Sequence, residues 1–543
     1  MRANESLAGE ELAKYLLDEF ARMESDRKAA DIERGWTDSL DFCYLNGQDP
    51  AQSPGNQRGE YAEKVFDVTA PWALDQAAGG LHASLTSLTD RWFHLQFDEY
   101  LMEDEDVLAW LQDTENRLYH CYRNPRSNVH VAWHEAFQSD IGLGNSAIFS
   151  DYSTQHGALS KRTMQMADIF WDVDYLGFVD TVARRAHWTS RQAQQIFGDV
   201  LPRQIATEPD KSKKFCFIHF VFPRSDRDPN KMNKSNKPYA SYWVCKQFPS
   251  ILDKGGFDSF PYQCTRWSTR ADDIYGRGPA QGVMPMIKCL NQICKTRLKA
   301  AFLAVQPPVI ATHDGFMGPF NVNPRKYIWK LRGTEDPKYL ESRSIFQPTD
   351  QEIERAQFAI LRSFFNDLLK MEKERTEMTA FEVWDRRNEK LRQMGSLIGR
   401  QISEKMDPMI RRDLSLLDSH GLLLPPPPQL RGKRLGISYV SAASRAQESE
   451  RVARANQFIQ MSTPLANIDP SVLDWVNFDG YMNMTARILG VDREVVNSRS
   501  AVAAIKEQRA KQQQAQMMLE AAPAMGKTIK DIATAQAVSK QAA

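Results

Sequence analysis

Two imidazoles stand one helical turn apart in His130-Val131-Ala132-Trp133-His134-Glu135, a spacing that can hold a metal ion. The zinc hydrolases that place two histidines on one helix carry the Glu directly after the first His, which is not the order here. No third ligand stands at a recognisable spacing. Ordinary helix histidines are therefore expected, with a metal-dependent hydrolase using His130 and His134 as the alternative. Asp172 and Asp174 alternate along a predicted strand and would share a face. Without a phosphate loop they read as a solvated strand rather than a Mg2+ pair. Gly142-Leu143-Gly144 lacks the third Gly of a dinucleotide loop and the Gly-Lys-Ser/Thr ending of a nucleotide loop, so a helix-to-strand turn is expected. No Gly-x-Ser-x-Gly elbow and no Walker A motif occurs. No catalytic residue, metal or cofactor is assigned, and any ATP-driven motion must come from another protein.

A different chemistry is offered by Lys288, Lys295 and Lys299. Their spacing of seven and four puts them on one face of a helix. No Asp or Glu occurs between Asp273 and Asp314, and on charge pattern alone the three lysines read as a solvated helix face. Gly278-Pro279 is a helix start, because Pro at the first position loses no needed N–H. Apolar residues recur at Ile287, Leu290, Ile293, Leu298 and Phe302, and Pro285 should bend or restart the helix. It must stop at Pro307-Pro308. A compact insert with Val309-Ile310-Ala311, Asp314-Gly315 and Tyr327-Ile328-Trp329 follows, then a second helix from Asp350 to about Met371. A polar break over 372–378 carries Lys373 and Arg375. Thr379-Ala380-Phe381-Glu382 is a capping box opening a long helix. Pro408 interrupts that helix and His420-Gly421 ends it.

This run closely resembles the head-to-tail connector (portal) proteins of short-tailed bacteriophages (podoviruses). The residues that carry the resemblance are Tyr275-Gly276-Arg277-Gly278-Pro279, Pro307-Pro308 with Asp314-Gly315, Thr379-Ala380-Phe381-Glu382-Val383, and Gly421 to Pro428. A second point lies at Asp67, Pro71-Trp72 and the small residues Ala73, Ala77, Ala78, Gly79 and Gly80. The resemblance implies a ring at one capsid vertex, usually of twelve copies, forming the channel for dsDNA packaging and ejection. It implies an N-terminal wing at 1–273, a first stem helix at 274–305, a clip at 306–349 and a second stem helix at 350–371. A tunnel loop at 372–380, a long helix returning to the wing at 381–440 and a C-terminal crown at 441–543 complete it. Implied partners are the terminase, the major capsid and scaffolding proteins, tail adaptor proteins and internal ejection proteins. The channel candidates are Lys288, Lys295, Lys299, Lys373 and Arg375.

Composition sets bounds on these expectations. A chain of 543 residues exceeds one core, so two to four units are expected. Lys+Arg and Asp+Glu are both 69. That balance argues against a tight duplex binder, including a monomeric or dimeric helical nucleic-acid-binding adaptor, and permits a conduit in which DNA slides. The seven Cys include no CxxC pair and read as reduced thiols. No apolar run approaches the roughly 20 residues that span a bilayer, and no apolar signal core opens the chain. A protein made in the cytosol without a membrane span is expected, and the resemblance implies a bacterial host and residence in the virion. The fold class is α+β, multidomain and helix-rich. Helices are expected over 7–46 and 104–138, with Thr69 and Thr189 capping two more. Strands are expected at 165–175, 214–223, 239–247 and 260–267, with Lys254-Gly255-Gly256-Phe257 as a turn between strands. A short strand is expected at 435–440, and the tail from Lys506 reads as a solvated helix fraying into disorder.

Overall fold

The structure, a computed structural model, describes residues 9–44, 65–88, 91–97, 104–210, 212–225, 227, 233–270, 273–306, 308–310, 332–333, 338–339, 347–366, 395–430, 432–439, 454–461, 476–478, 480–482, 485, 501–502, 504–509 and 511–513. It is α+β and helix-rich. The chain divides into two compact units, residues 1–97 with 110–442, and residues 98–109 with 443–543.

In the first unit, α1 (Glu10–Ala29) and α2 (Ile32–Cys43) open the chain. Leu12, Leu16, Phe20 and Met23 recur at helical spacing and are all buried. α3 (Thr69–Leu85) follows. Its predicted cap is corrected: the Thr69 side chain makes no cap bond, and Asp67 Oδ1 accepts the Thr69 N–H at 2.9 Å instead. Next come β1 (Phe93–Gln96), α4 (Glu105–Arg123) and α5 (Val129–Leu143). Then follow β2 (Asn145–Ser153), β3 (Ala158–Thr163), β4 (Ile169–Val173) and β5 (Val179–Thr189). α6 (Ser190–Phe197) starts on the expected Thr189–Gln192 capping box. After α7 (Arg203–Ala206) come β6 (Lys214–Pro223), β7 (Tyr239–Cys245), β8 (Ser250–Phe257) and β9 (Tyr262–Arg266).

β4-β5-β6-β7-β8 form one antiparallel sheet and β3-β2-β9 a second. β6 is nearly all apolar because both of its faces are covered. Ile218, Phe220 and Phe222 meet α1, while Val221 joins Trp36, Leu40 and Trp171 on the other face. The expected turn at Lys254–Phe257 is instead part of β8, pairing with Tyr239–Tyr242. Gly256 is there for close approach rather than for a turn, while Gly255 has open space beside it. A Cβ on Gly256 would lie 2.7 Å from the Tyr239 carbonyl oxygen.

α8 (Pro279–Val305) has the predicted bounds and runs through Pro285 without restarting. β10 (Val309–Ile310) pairs with β11 (Lys338–Tyr339), and α9 (Gln347–Ser363) follows. α9 as described ends at Ser363, Asn366 is helical again, and the predicted end at Met371 lies outside the described residues. Phe365 takes a left-handed backbone (φ 58°) and interrupts the helix after Ser363. The capping box at Thr379 lies outside the described residues.

The return helix is described as α10 (Gly395–Gln401), a π segment (Ile402–Met406) and α11 (Asp407–Ser419). Pro408 does not break it. The missing N–H is absorbed by the π segment, where the Asp407 N–H bonds five residues back to Ile402. Gly421 (φ 66°) ends α11 as predicted, with Gly421 N–H on Asp418 and Leu422 N–H on Leu417. β12 (Gly436–Tyr439) pairs with β1. In the second unit, residues 454–461 are helical and the Tyr481 hydroxyl bonds Asn456.

Candidate nucleic-acid interface

The start of α8 is fixed by a glycine contact. Gly144 caps α5 with φ 79°, and a Cβ there would meet the Gly278 nitrogen at 2.4 Å. Asn145 clasps Gly276 from both sides, donating to its carbonyl at 2.8 Å and accepting its N–H at 2.7 Å. From this anchor α8 runs antiparallel to α9. Arg297 pairs with Asp350 at 2.5 Å, and Asn291 and Gln357 reach Phe66 and Asp67 respectively.

The three lysines of α8 end up in different surroundings. Lys288 pairs with Asp38 of α2 at 2.7 Å and lies 5.8 Å from the Phe42 ring. Its charge is therefore already balanced. Lys295 sits 5.3 Å from the Phe66 ring and is half-buried. Lys299 is exposed and makes no ion pair among the described residues. Lys373 and Arg375 lie outside the described residues.

What positions the return helix is a set of buried ion pairs. Lys161 (β3) and Asp413 (α11) pair at 2.7 Å with both side chains fully buried, and the Tyr122 hydroxyl donates to Asp413 at 2.7 Å. Lys405 pairs with Asp140 of α5, again with no exposed side-chain surface. Its neighbour Glu404 holds Arg266 of β9 at 2.7 Å. Burial lowers the pKa of Lys161 and Lys405 and raises that of Asp140, each opposed by the partner charge. The π segment places Glu404 and Lys405, adjacent in sequence, against two different partners. None of the residues in these three pairs was singled out from the sequence as a site. Their partners lie more than a hundred residues away, and a charge on an amphipathic helix reads as solvated.

The other candidates separate. His134 faces Asp75 at 3.4 Å, whereas His130 stands against His82 with ring centroids 5.5 Å apart. Burial holds His82 down to about 4 and lowers His130, so both stay neutral near pH 7. Among the described residues no group of three His, Cys, Asp or Glu is placed to hold a metal. Asp172 pairs with Arg22 at 2.7 Å, while Asp174 accepts the N–H groups of Leu176 and Phe178. No helix among the described residues is long and apolar enough to cross a membrane.

The model of the bacteriophage head to tail connecting protein family matches residues 13–496. The chain belongs to that family. It is a structural protein of the phage virion, a head–tail connector or portal at the junction of capsid and tail. Relatives agree along nearly the whole length. The chain is 25% identical over 541 residues to the portal protein of Salmonella phage epsilon15, covering 96% of this chain and 95% of that one. It is 26% identical over 525 residues to the "probable portal protein" of Bordetella phage BPP-1, covering 92% of each. The match to the connector family takes in both sheets, the α8–α9 pair and the return helix.

Proposed function

We propose that copies of this chain close into a cyclic ring of twelve, of the kind found in short-tailed (podovirus) phages, through which dsDNA is packaged and later ejected. The family match along the chain carries this reading. Residues 1–273 would form the wing, with 381–440 returning to it, and α8 and α9 would be stem helices flanking a clip at 306–349. The tunnel loop would be 372–380, and the crown 441–543. The clip would dock the terminase and then the tail adaptors, and the wing and crown would meet capsid, scaffolding and ejection proteins. Exposed Leu298, Phe302, Leu303 and Phe358 on α8 and α9 support the ring, since cyclic contacts would cover them. Lys295 and Lys299, with Lys373 and Arg375, would face DNA, while Lys288 is held by Asp38. A few cations in a chain of zero net charge hold phosphates without arresting them.

The test is native mass of the purified protein, with negative-stain images of the same sample. A ring of about a dozen copies with a central hole is expected. A stable monomer or dimer across concentration and salt would overturn the ring and favour a nucleic-acid-binding adaptor.

A further inference from the structure

The β4–β5 hairpin ends in an apolar tip that stands exposed among the described residues. Tyr175 is 93% exposed, Leu176 63% and Phe178 50%. The tip is nonetheless held firmly. Asp174 Oδ1 accepts the N–H of Leu176 at 2.9 Å and of Phe178 at 2.8 Å. The Asp174 N–H donates to Phe178 and the Gly177 N–H to Asp174, with Gly177 at φ 84°. Arg266, itself paired with Glu404 of the return helix, clamps the Gly177 carbonyl at 2.6 Å. The β2–β3 tip, Thr154-Gln155-His156-Gly157, is polar, as solvent-facing tips are expected to be. A rigid apolar tip is therefore a selected surface rather than a loop left in water.

A second apolar patch lies at the other end of the same strand. β5 leads directly into α6, where Ile196 is 54% exposed and Val200, just beyond, 59%. The eleven residues of β5 separate the two patches by roughly 35 Å at ~3.3 Å per residue. Their charges are complementary. Asp174 and Asp180 flank the tip, whereas exposed Arg191 and Arg203 flank Ile196 and Val200, with Asp199 between them. Two unlike, complementary patches on opposite ends of one rigid sheet are what a head-to-tail cyclic contact requires. A two-fold contact would need one self-complementary patch instead.

We infer that the Tyr175–Leu176 tip of one copy docks on the Ile196–Val200 patch of the next copy in the ring. This rests on the ring proposed above. It gives the wing its own interface, independent of the α8–α9 helices. The return helix supports the tip through Glu404 and Arg266, so the helix and the subunit contact are mechanically joined.

Tyr175 is replaced by photoreactive p-benzoyl-phenylalanine in the full chain, and purified rings are irradiated. Copies should cross-link in a ladder, with the modified peptide falling within residues 190–205 of the neighbour. The same probe at Gln155 should give none. Rings that yield no cross-link from position 175, or yield one mapping elsewhere, overturn this interface alone. A wild-type protein that never forms rings removes both readings. As a second readout, Tyr175→Asp with Leu176→Asp should melt like wild type, since both side chains are solvent-facing. Its ring fraction at a fixed concentration should drop at least tenfold, and unchanged assembly would overturn the proposal.

Discussion

Single residues carry unusual charge burden in this protein. Lys161 and Asp413 have no exposed side-chain surface, so removing one leaves the other charged, buried and unpaired. Asp413→Asn should cost about 3–5 kcal/mol, read as a lowered urea midpoint. Lys161→Met with Asp413→Leu should recover most of that loss, because neither charge then needs a partner. His219 supplies a large share of the pH dependence, alongside the depressed His82 and His130. It is fully buried between Tyr262 and Ser241, and burial depresses its pKa to about 3. A depressed imidazole contributes stability that is complete above the unfolded value near 6.5 and is lost as pH falls toward 3. The loss should approach about 1.4 kcal/mol per pH unit within that window. His219→Gln should flatten the fall of melting temperature between pH 6.5 and 4, and an equal slope in the variant would count against it. None of these residues was legible as important from the sequence. Lys161, Asp413 and His219 look like ordinary members of their segments until distant partners enclose them.

At the scale of elements the sequence was read more faithfully, and its failures have causes. β6 and α8 were found with their observed ends, because a dense apolar run and a Gly-Pro start are local signals. Helical spacing continues past Phe365 and gives no sign of the left-handed backbone that interrupts the helix there. Gly256 reads as a turn residue because a glycine chosen for close approach looks the same in sequence as one chosen for a turn. Glycines also give a paired prediction on α8. At Gly278 an added Cβ would lie 2.5 Å from the Ile141 carbonyl oxygen, so Gly278→Ala should destabilise by about 1–3 kcal/mol. At Gly282 nothing lies within 4 Å of an added Cβ. Gly282→Ala should stabilise by about 0.5–1 kcal/mol through the unfolded chain and helix propensity. Melting curves of both variants settle the sign.

For the molecule as a whole, the connector family was legible because its motifs are spread along the chain and need no geometry to be noticed. Which lysine meets DNA was not, since sharing a helix face does not say what covers that face. The structure separates Lys288, already neutralised by Asp38, from exposed Lys299. Lys288→Ala should therefore leave DNA packaging unchanged and shift stability by no more than about 1 kcal/mol. Lys299→Glu should leave ring mass unchanged but lower the amount of DNA packaged per particle. Equal packaging by both variants would remove Lys299 from the channel.

The buried pairs also impose an order on biosynthesis. Lys405 and Asp140 are 265 residues apart, and Lys161 and Asp413 are 252 apart. A ribosome adding about 5–20 residues per second needs tens of seconds to make the second member of each pair. During that interval the nascent chain holds two charges that it cannot pair. A chain that ends before Lys405 leaves both Asp140 and Lys161 without the partners that balance them in the fold.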